Sequence, residues 1–143
     1  MGNLKLTSSA FSDGEEIPRE CGYKNGNKVP PLTVSGIPEG TESLTLIMDD
    51  PDAMGAVGKV WVHWLEYGNT DGDGTPVTAG KNDFGEIGYG GPAPPDGRHT
   101  YIFKAYALDT TPELKQGYSK QELEDAMKGH IVAEAKLTGT YAP

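Results

Sequence analysis

Five side chains that can do chemistry together lie in two short stretches of this sequence that are rich in glycine and proline. Asp50, Trp61 and His63 belong to the first stretch, and His99 and Tyr101 to the second. Imidazole N–H groups can donate hydrogen bonds to a small anion such as phosphate, and a carboxylate can fix the tautomer of an imidazole. Aromatic rings can wall a cavity and stack on an organic group or receive an ammonium group. These residue types predict a ligand pocket.

The backbone of the second stretch is predicted to be rigid. Residues 88–97 contain six glycines and prolines before the first charged residue, and the pair Gly91 and Pro92 stands at their centre. Proline fixes its own backbone angle, and glycine allows close approach of neighbouring chain. A rigid turn of this kind can stand beside the two imidazoles of the predicted pocket.

The same residues allow other interpretations. Two histidines can simply be buried at unrelated places in a core. Asp50 with His63 or His99 can form the acid–base pair of a hydrolase or phosphoryl-transfer enzyme, and two histidines with a carboxylate can hold a metal. No G-x-S-x-G or H-E-x-x-H signature is present, and residues 80–82 lack the glycine and the hydroxyl of a phosphate loop. We therefore expect a binding protein without catalytic residues, metal or cofactor.

The amino-acid composition limits the partners and the cellular location that we expect for this protein. The 143 residues carry a formal net charge of −9, which opposes binding to nucleic acid or to anionic lipid by bulk electrostatics. A single cysteine, Cys21, allows no intrachain disulfide, and no run approaches transmembrane length. The first residues do not resemble a signal peptide. We expect one domain over residues 1–143, a cytoplasmic location and no integral membrane association.

Alternating apolar residues and many turn formers predict a mainly β protein. Strands are expected over residues 4–11, 32–34, 43–50, 60–67, 100–108 and 131–141. A helix is expected over 119–128, where Ser119 and Glu122 form a capping box and Gly129 ends the helix. Several short strands with one or two short helices predict an antiparallel β-sandwich.

Strict alternation also predicts which side chains share a face of each strand. Asp50 ends a row formed by Leu44, Leu46 and Met48. The first face of the next strand should carry Trp61, His63, Leu65 and Tyr67, and its second face Val62, Trp64 and Glu66. His99 should share a face with Tyr101, Phe103 and Ala105.

Two motifs resemble the paired signature of a known family. They are D-P-D-A at 50–53 with H-W at 63–64, and G-Y-G-G-P-x-P-P-x-G-x-H-x-Y at 88–101. The chain is similar to the phosphatidylethanolamine-binding protein family, which includes Raf kinase inhibitor protein, and its length resembles the prokaryotic branch. The resemblance implies a Greek-key β-sandwich with an anion pocket for phosphate or phosphoethanolamine, and a kinase or protease as a protein partner. The positions that it implies for the ligand site are Asp50, Trp61, His63, Gly91, Pro92, His99 and Tyr101.

The chain departs from the family pattern at three positions. Met54 stands where proline is usual, Ala93 where many bacterial relatives carry cysteine, and Thr100 where arginine is usual. The arginine commonly pairs with an acid, so either Arg98 replaces it or Asp52 is satisfied in another way.

Overall fold

Strands make up most of the regular structure in the computed structural model, which describes residues 4–69 and 78–143. The strands are β1 (Lys5–Thr7), β2 (Thr33–Ser35), β3 (Ser43–Asp50), β4 (Trp61–Asn69), β5 (Thr78–Ala79), β6 (His99–Leu108) and β7 (Ile131–Tyr141). The helices are α1 (Ala53–Val57) and α2 (Lys120–Met127), and a single 3-10 turn spans Arg19–Cys21.

The strands form two antiparallel sheets. Five of them lie in the order β5-β4-β3-β6-β7, and β1 pairs with β2 in a two-stranded ribbon. Because β3 is antiparallel to both β4 and β6, its last residue lies beside the first residues of those two strands. The prediction of a mainly β, antiparallel sandwich is confirmed.

Both faces of the five-stranded sheet are buried. One face, which we call the ribbon face, packs under β1 and β2 and includes Met48, Trp64 and Phe103. The opposite face, the helix face, packs against Leu123 and Met127 of α2. Two cores therefore share one sheet, and β3 is buried on both sides, where a single apolar face had been expected.

The helix prediction is confirmed. The Ser119 side chain accepts from the Glu122 N–H and the Glu122 side chain accepts from the Ser119 N–H, which satisfies two free donors at the start of α2. Gly129 follows the helix with a φ of 81°, a conformation that glycine adopts without strain. The first strand is shorter than predicted, and α1 is a helix that the sequence pattern did not locate.

The predicted alternation along β4 is wrong, because the strand contains a β-bulge. Met48 pairs with Trp64 and Asp49 with Val62, which leaves His63 opposite no residue of β3. Val62 and Leu65, three positions apart, consequently both face α2.

The bulge separates side chains that had been assigned to one face. Leu65 and Tyr67 lie on the helix face. Trp61 and His63 lie with Asp50 at the end of the ribbon face.

Candidate ligand-binding site

A cavity of about 110 Å³ lies at the edge of the sheet where β3 ends and β4 and β6 begin. Strand ends supply its polar groups, and α1 and two loops supply its apolar ones. We call it the pocket, and its lining consists of Asp50, Ala53, Val57, Trp61, His63, Phe84, Ala93, Pro95 and His99. The structure therefore brings together four of the seven predicted site residues around one hollow.

The bulge in β4 is stabilised by a loop carboxylate. The Val62 N–H donates to Oδ2 of Asp83 at 2.7 Å, and the Asp83 N–H donates to the Val62 carbonyl at 2.9 Å. Because a bulge disrupts the strand ladder locally, these bonds give Val62 partners outside the sheet. This arrangement turns the next side chain, His63, toward the pocket.

His63 is held as a neutral imidazole. Its Nδ1 lies 2.7 Å from the Gly90 carbonyl oxygen, which can only accept, so Nδ1 carries the proton. The Gly90 N–H donates back to the His63 carbonyl at 2.8 Å. Burial lowers the pKa of His63 below its ordinary 6.5, although the Gly90 bond and the charge of Asp50 oppose this effect. With the ring neutral, Nε2 is a hydrogen-bond acceptor.

His99 is held in the opposite state. Its Nδ1 lies 2.6 Å from Oδ2 of Asp50, and its Nε2 lies 2.7 Å from Oδ1 of Asp96. Because both nitrogens face carboxylate oxygens, both carry protons and the ring is an imidazolium. Burial alone would lower the pKa of His99, but the two carboxylates outweigh it and raise the pKa above 6.5. Asp50 is buried, whereas the Asp96 side chain is 58% exposed.

Two polar atoms of the pocket lack a hydrogen-bond partner within residues 4–69 and 78–143. They are Oδ1 of Asp50, an acceptor, and Nε1 of Trp61, a donor, and both atoms are shielded from solvent. Leaving such a group unsatisfied costs about 1–3 kcal/mol. Proteins seldom carry this cost without a reason, and here both residues line the same cavity.

Tyr101 packs between the two imidazoles. Its ring centroid lies 5.1 Å from that of His63, edge to face, and 6.3 Å from that of His99. The residue is fully buried, and burial together with the nearby Asp50 charge raises the pKa of its phenol far above the ordinary value of 10. Tyr101 stays a neutral aromatic support behind the lining.

Gly91 and Pro92 also lie behind the pocket. A Cβ on Gly91 would stand 1.9 Å from the Cys21 carbonyl oxygen, so only glycine fits this approach of two chain segments. The Gly91 N–H donates to Oδ1 of Asn27 at 2.7 Å. The Pro92 carbonyl accepts from the Tyr23 N–H at 2.9 Å. These contacts fix the segment that leads to His99.

Sequence reasoning missed two contributors. Phe84 stacks on Tyr23 with centroids 3.9 Å apart and presents its ring to Trp61 and His63, both at 5.5 Å. It lies in a loop without periodicity, so no sequence signal marked it. Asp96 lies inside the second motif, three residues before His99, and its spacing within a turn was the available signal.

The structure shows how Asp52 is satisfied without the arginine that is usual at position 100. Oδ2 of Asp52 accepts the backbone N–H of Thr100 at 2.8 Å. Arg98 instead contacts Glu16 and Oγ1 of Thr140, each at 3.0 Å. Asp52 is therefore satisfied by the backbone and not by Arg98. Met54 lies half-exposed on α1.

A larger groove of about 810 Å³ separates the β1–β2 ribbon from β3 and β4. Its lining is mostly apolar, with Glu66 as an exception. Burial raises the pKa of Glu66, and a hydrogen bond from Trp64 opposes that rise. Polar groups do not converge on this groove as they do on the pocket, so the pocket is the better candidate site.

Two further searches concern the described residues alone. No group of three or more His, Cys, Asp or Glu side chains there is arranged to hold a metal ion. No helix in the same ranges has the length and apolar character needed to span a membrane.

Comparison with known proteins identifies the family. A family model described as phosphatidylethanolamine-binding protein matches residues 7–142. The chain belongs to the phosphatidylethanolamine-binding protein family. A UPF0098 protein of Chlamydia trachomatis is 42% identical over 147 residues, which cover 96% of this chain and 98% of the relative.

Two solved structures of the same family share the fold. A phosphatidylethanolamine-binding protein homolog from Chlamydia trachomatis superposes with a TM-score of 0.89 at 39% identity, covering 99% of this chain and 98% of that one. Escherichia coli YbcL, described as a member of the mammalian family, gives a TM-score of 0.84 at 32% identity and 98% coverage of both chains. Membership of this family supports a ligand-binding function in general terms.

Proposed function

We propose that this protein binds phosphate or a phosphorylated headgroup, such as phosphoethanolamine, in the pocket at the end of β3. The observation that carries the proposal is the pair of unpartnered buried atoms, Trp61 Nε1 and Asp50 Oδ1, on the wall of one cavity. Such atoms regain their lost hydrogen bonds when a polar ligand enters. A cavity of about 110 Å³ has room for a group of only a few heavy atoms.

The charge of His99 supports an anionic ligand. His99 lines the pocket, and its Nε2–H donates to the exposed carboxylate of Asp96. A ligand oxygen can take the place of that carboxylate, because an exposed side chain can move into solvent. Trp61 and Phe84 wall the cavity and can pack against the organic part of a headgroup.

The lining supports binding more than turnover. It contains no serine, threonine or cysteine among the described residues, so a hydroxyl or thiol nucleophile is missing beside the two imidazoles. We therefore assign Asp50, Trp61, His63 and His99 to ligand contact, and Gly91, Pro92 and Tyr101 to its support.

Occupancy of the pocket would also alter a surface for a protein partner such as a kinase or a protease. Val57 of α1 lines the pocket and is 51% exposed, and Met54 on the same helix is 56% exposed. Exposed apolar side chains at the rim of a cavity suit a partner contact that senses the ligand.

Isothermal titration calorimetry with inorganic phosphate and with phosphoethanolamine tests the proposal. Wild-type protein should bind, and His63→Ala and His99→Ala should each weaken binding by about tenfold or more, which corresponds to the loss of one hydrogen bond in a buried site. His130→Ala is the matched control, because His130 is exposed and pairs with Asp109. Equal binding by all four proteins, or no binding by the wild type, would contradict the proposal.

A further inference from the structure

We propose that the pocket selects oxyanions that carry a hydrogen-bond donor of their own, such as hydrogen phosphate, and discriminates against oxyanions without one, such as sulfate. This inference rests on the proposed function and specifies the class of ligand. It follows from the hydrogen-bonding roles of the four polar side chains that line the pocket.

The first acceptor is Oδ1 of Asp50. The other oxygen of this carboxylate already binds His99, and the residue is 3% exposed, so Oδ1 cannot turn to solvent. A carboxylate paired with an imidazolium is ionised and can only accept. A bare anionic oxygen placed beside it would meet repulsion at short range, whereas a P–OH group would donate to it.

The second acceptor is Nε2 of His63. The proton of this ring is committed at Nδ1 to the Gly90 carbonyl at 2.7 Å, and the ring is 2% exposed. Phe84 and Tyr101 present aromatic edges or faces to it, and the charge of Asp50, which favours a second proton, is outweighed by the burial of the ring. Two of the four polar side chains therefore require a hydrogen-bond donor on the ligand.

The donors are Nε1–H of Trp61 and Nε2–H of His99, the latter after Asp96 has moved aside. The facing charges are the carboxylate of Asp50 and the imidazolium of His99, which sum to zero once Asp96 has moved aside. A complementary ligand thus combines acceptor oxygens with at least one donor. The hydrogen phosphate dianion has this combination, and sulfate has the same shape and charge but no proton.

A comparison of the affinities for the two anions near pH 8 tests the inference on the wild-type protein. Calorimetric titration with phosphate and with sulfate, at equal ionic strength, should give phosphate an affinity about tenfold or more above that of sulfate, because sulfate leaves a buried acceptor unsatisfied. Asp50→Asn should bring the two affinities together, since a carboxamide NH₂ can donate to sulfate where Oδ1 could not.

Asp49→Asn is the matched control. It removes a carboxylate from the adjacent position, but on the helix face and away from the pocket lining. The phosphate-to-sulfate ratio of this variant should equal that of the wild type.

The outcomes separate this inference from the proposed function. Equal affinities of the wild type for phosphate and sulfate would overturn the selectivity and leave phosphate binding standing. Binding of neither anion would overturn both. If Asp50→Asn does not fold, as judged by circular dichroism, the wild-type ratio decides the question by itself.

Discussion

Asp49 and Asp50 are neighbours in the sequence, but their side chains lie on opposite faces of the sheet. Asp49 lies on the helix face, where Oδ2 accepts from Nζ of both Lys104 and Lys120, each at 3.1 Å. Asp50 lies at the end of the ribbon face, where one oxygen binds His99 and the other binds nothing within the described ranges. Both residues are buried, so burial alone does not distinguish their roles. The carboxylate with two lysine partners has a structural role, and the carboxylate with an unpartnered buried oxygen marks the candidate ligand site.

The two sides are also held in different ways. Lys120 is the first residue of α2, so its ion pair with Asp49 joins that helix to the sheet. The pocket side instead relies on close approach of backbone segments, such as Gly91 against Cys21. This contrast leads to four predictions.

The largest loss of stability should come from one methyl group added behind the pocket. Gly91→Ala places a Cβ 1.9 Å from a backbone oxygen, and the segments must separate. We expect a loss of about 3 kcal/mol in the free energy of unfolding, measured by urea denaturation. Gly55→Ala is the control, because its Cβ would meet nothing within 4 Å and alanine favours the helix. Equal stability of Gly91→Ala and the wild type would refute the close approach.

A substitution on the helix face should lower the stability of the protein and leave its ligand affinity unchanged. Asp49→Asn leaves Lys104 and Lys120 without their shared carboxylate, and we expect unfolding to become easier by about 2 kcal/mol. Both lysine side chains are 24% exposed and can partly turn to water, which limits the loss. Asp109→Asn, an exposed carboxylate, should cost less than about 0.5 kcal/mol. A fall in phosphate affinity for Asp49→Asn would contradict the division of roles.

The two pocket histidines should give opposite pH dependences of stability. The raised pKa of His99 means that its contribution is complete below about pH 6.5 and is lost as pH rises through the folded-state pKa. The lowered pKa of His63 means that stability is lost as pH falls below about 6.5, because the unfolded chain then binds a proton that the folded chain does not.

Urea denaturation from about pH 5 to pH 9 measures both effects. His99→Gln should flatten the loss on the alkaline side, and His63→Gln the loss on the acidic side. Ring nitrogen chemical shifts in NMR spectra provide a direct check, with His99 cationic and His63 neutral near pH 6.5. Two histidines that titrate together would show that their surroundings do not separate them.

The smallest effect should come from Asp96. Its exposed carboxylate competes with a ligand for Nε2–H of His99, so Asp96→Asn should raise phosphate affinity by about threefold, a size typical of exposed ion pairs. Glu16→Gln removes a surface charge that contacts Arg98 and not His99, and it should change affinity less. Weaker binding by Asp96→Asn would mean that this carboxylate assists the ligand.

Much of the fold could be predicted from the sequence because its causes are local. Alternation along residues 99–108 reflects a strand with one face in the core, and the Ser119 and Glu122 pair satisfies helix donors within one turn. Turn formers and two motifs indicated the family and the candidate residues of the site. The pattern failed in β4, where Leu65 and His63 were placed together although the bulge puts them on opposite faces.

What the sequence determined was therefore six of the seven described strands, the family and four residues that line one cavity. Only the tertiary structure decided the orientation and the protonation state of the two histidines. His63 faces the pocket because Asp83, twenty residues later, stabilises a bulge, and it is neutral because burial disfavours its charged form, with the one ring proton held at Nδ1 by the Gly90 carbonyl. His99 is charged because carboxylates from two separate segments reach its two nitrogens. Register and protonation depend on neighbours that are distant along the chain, and no local pattern records them.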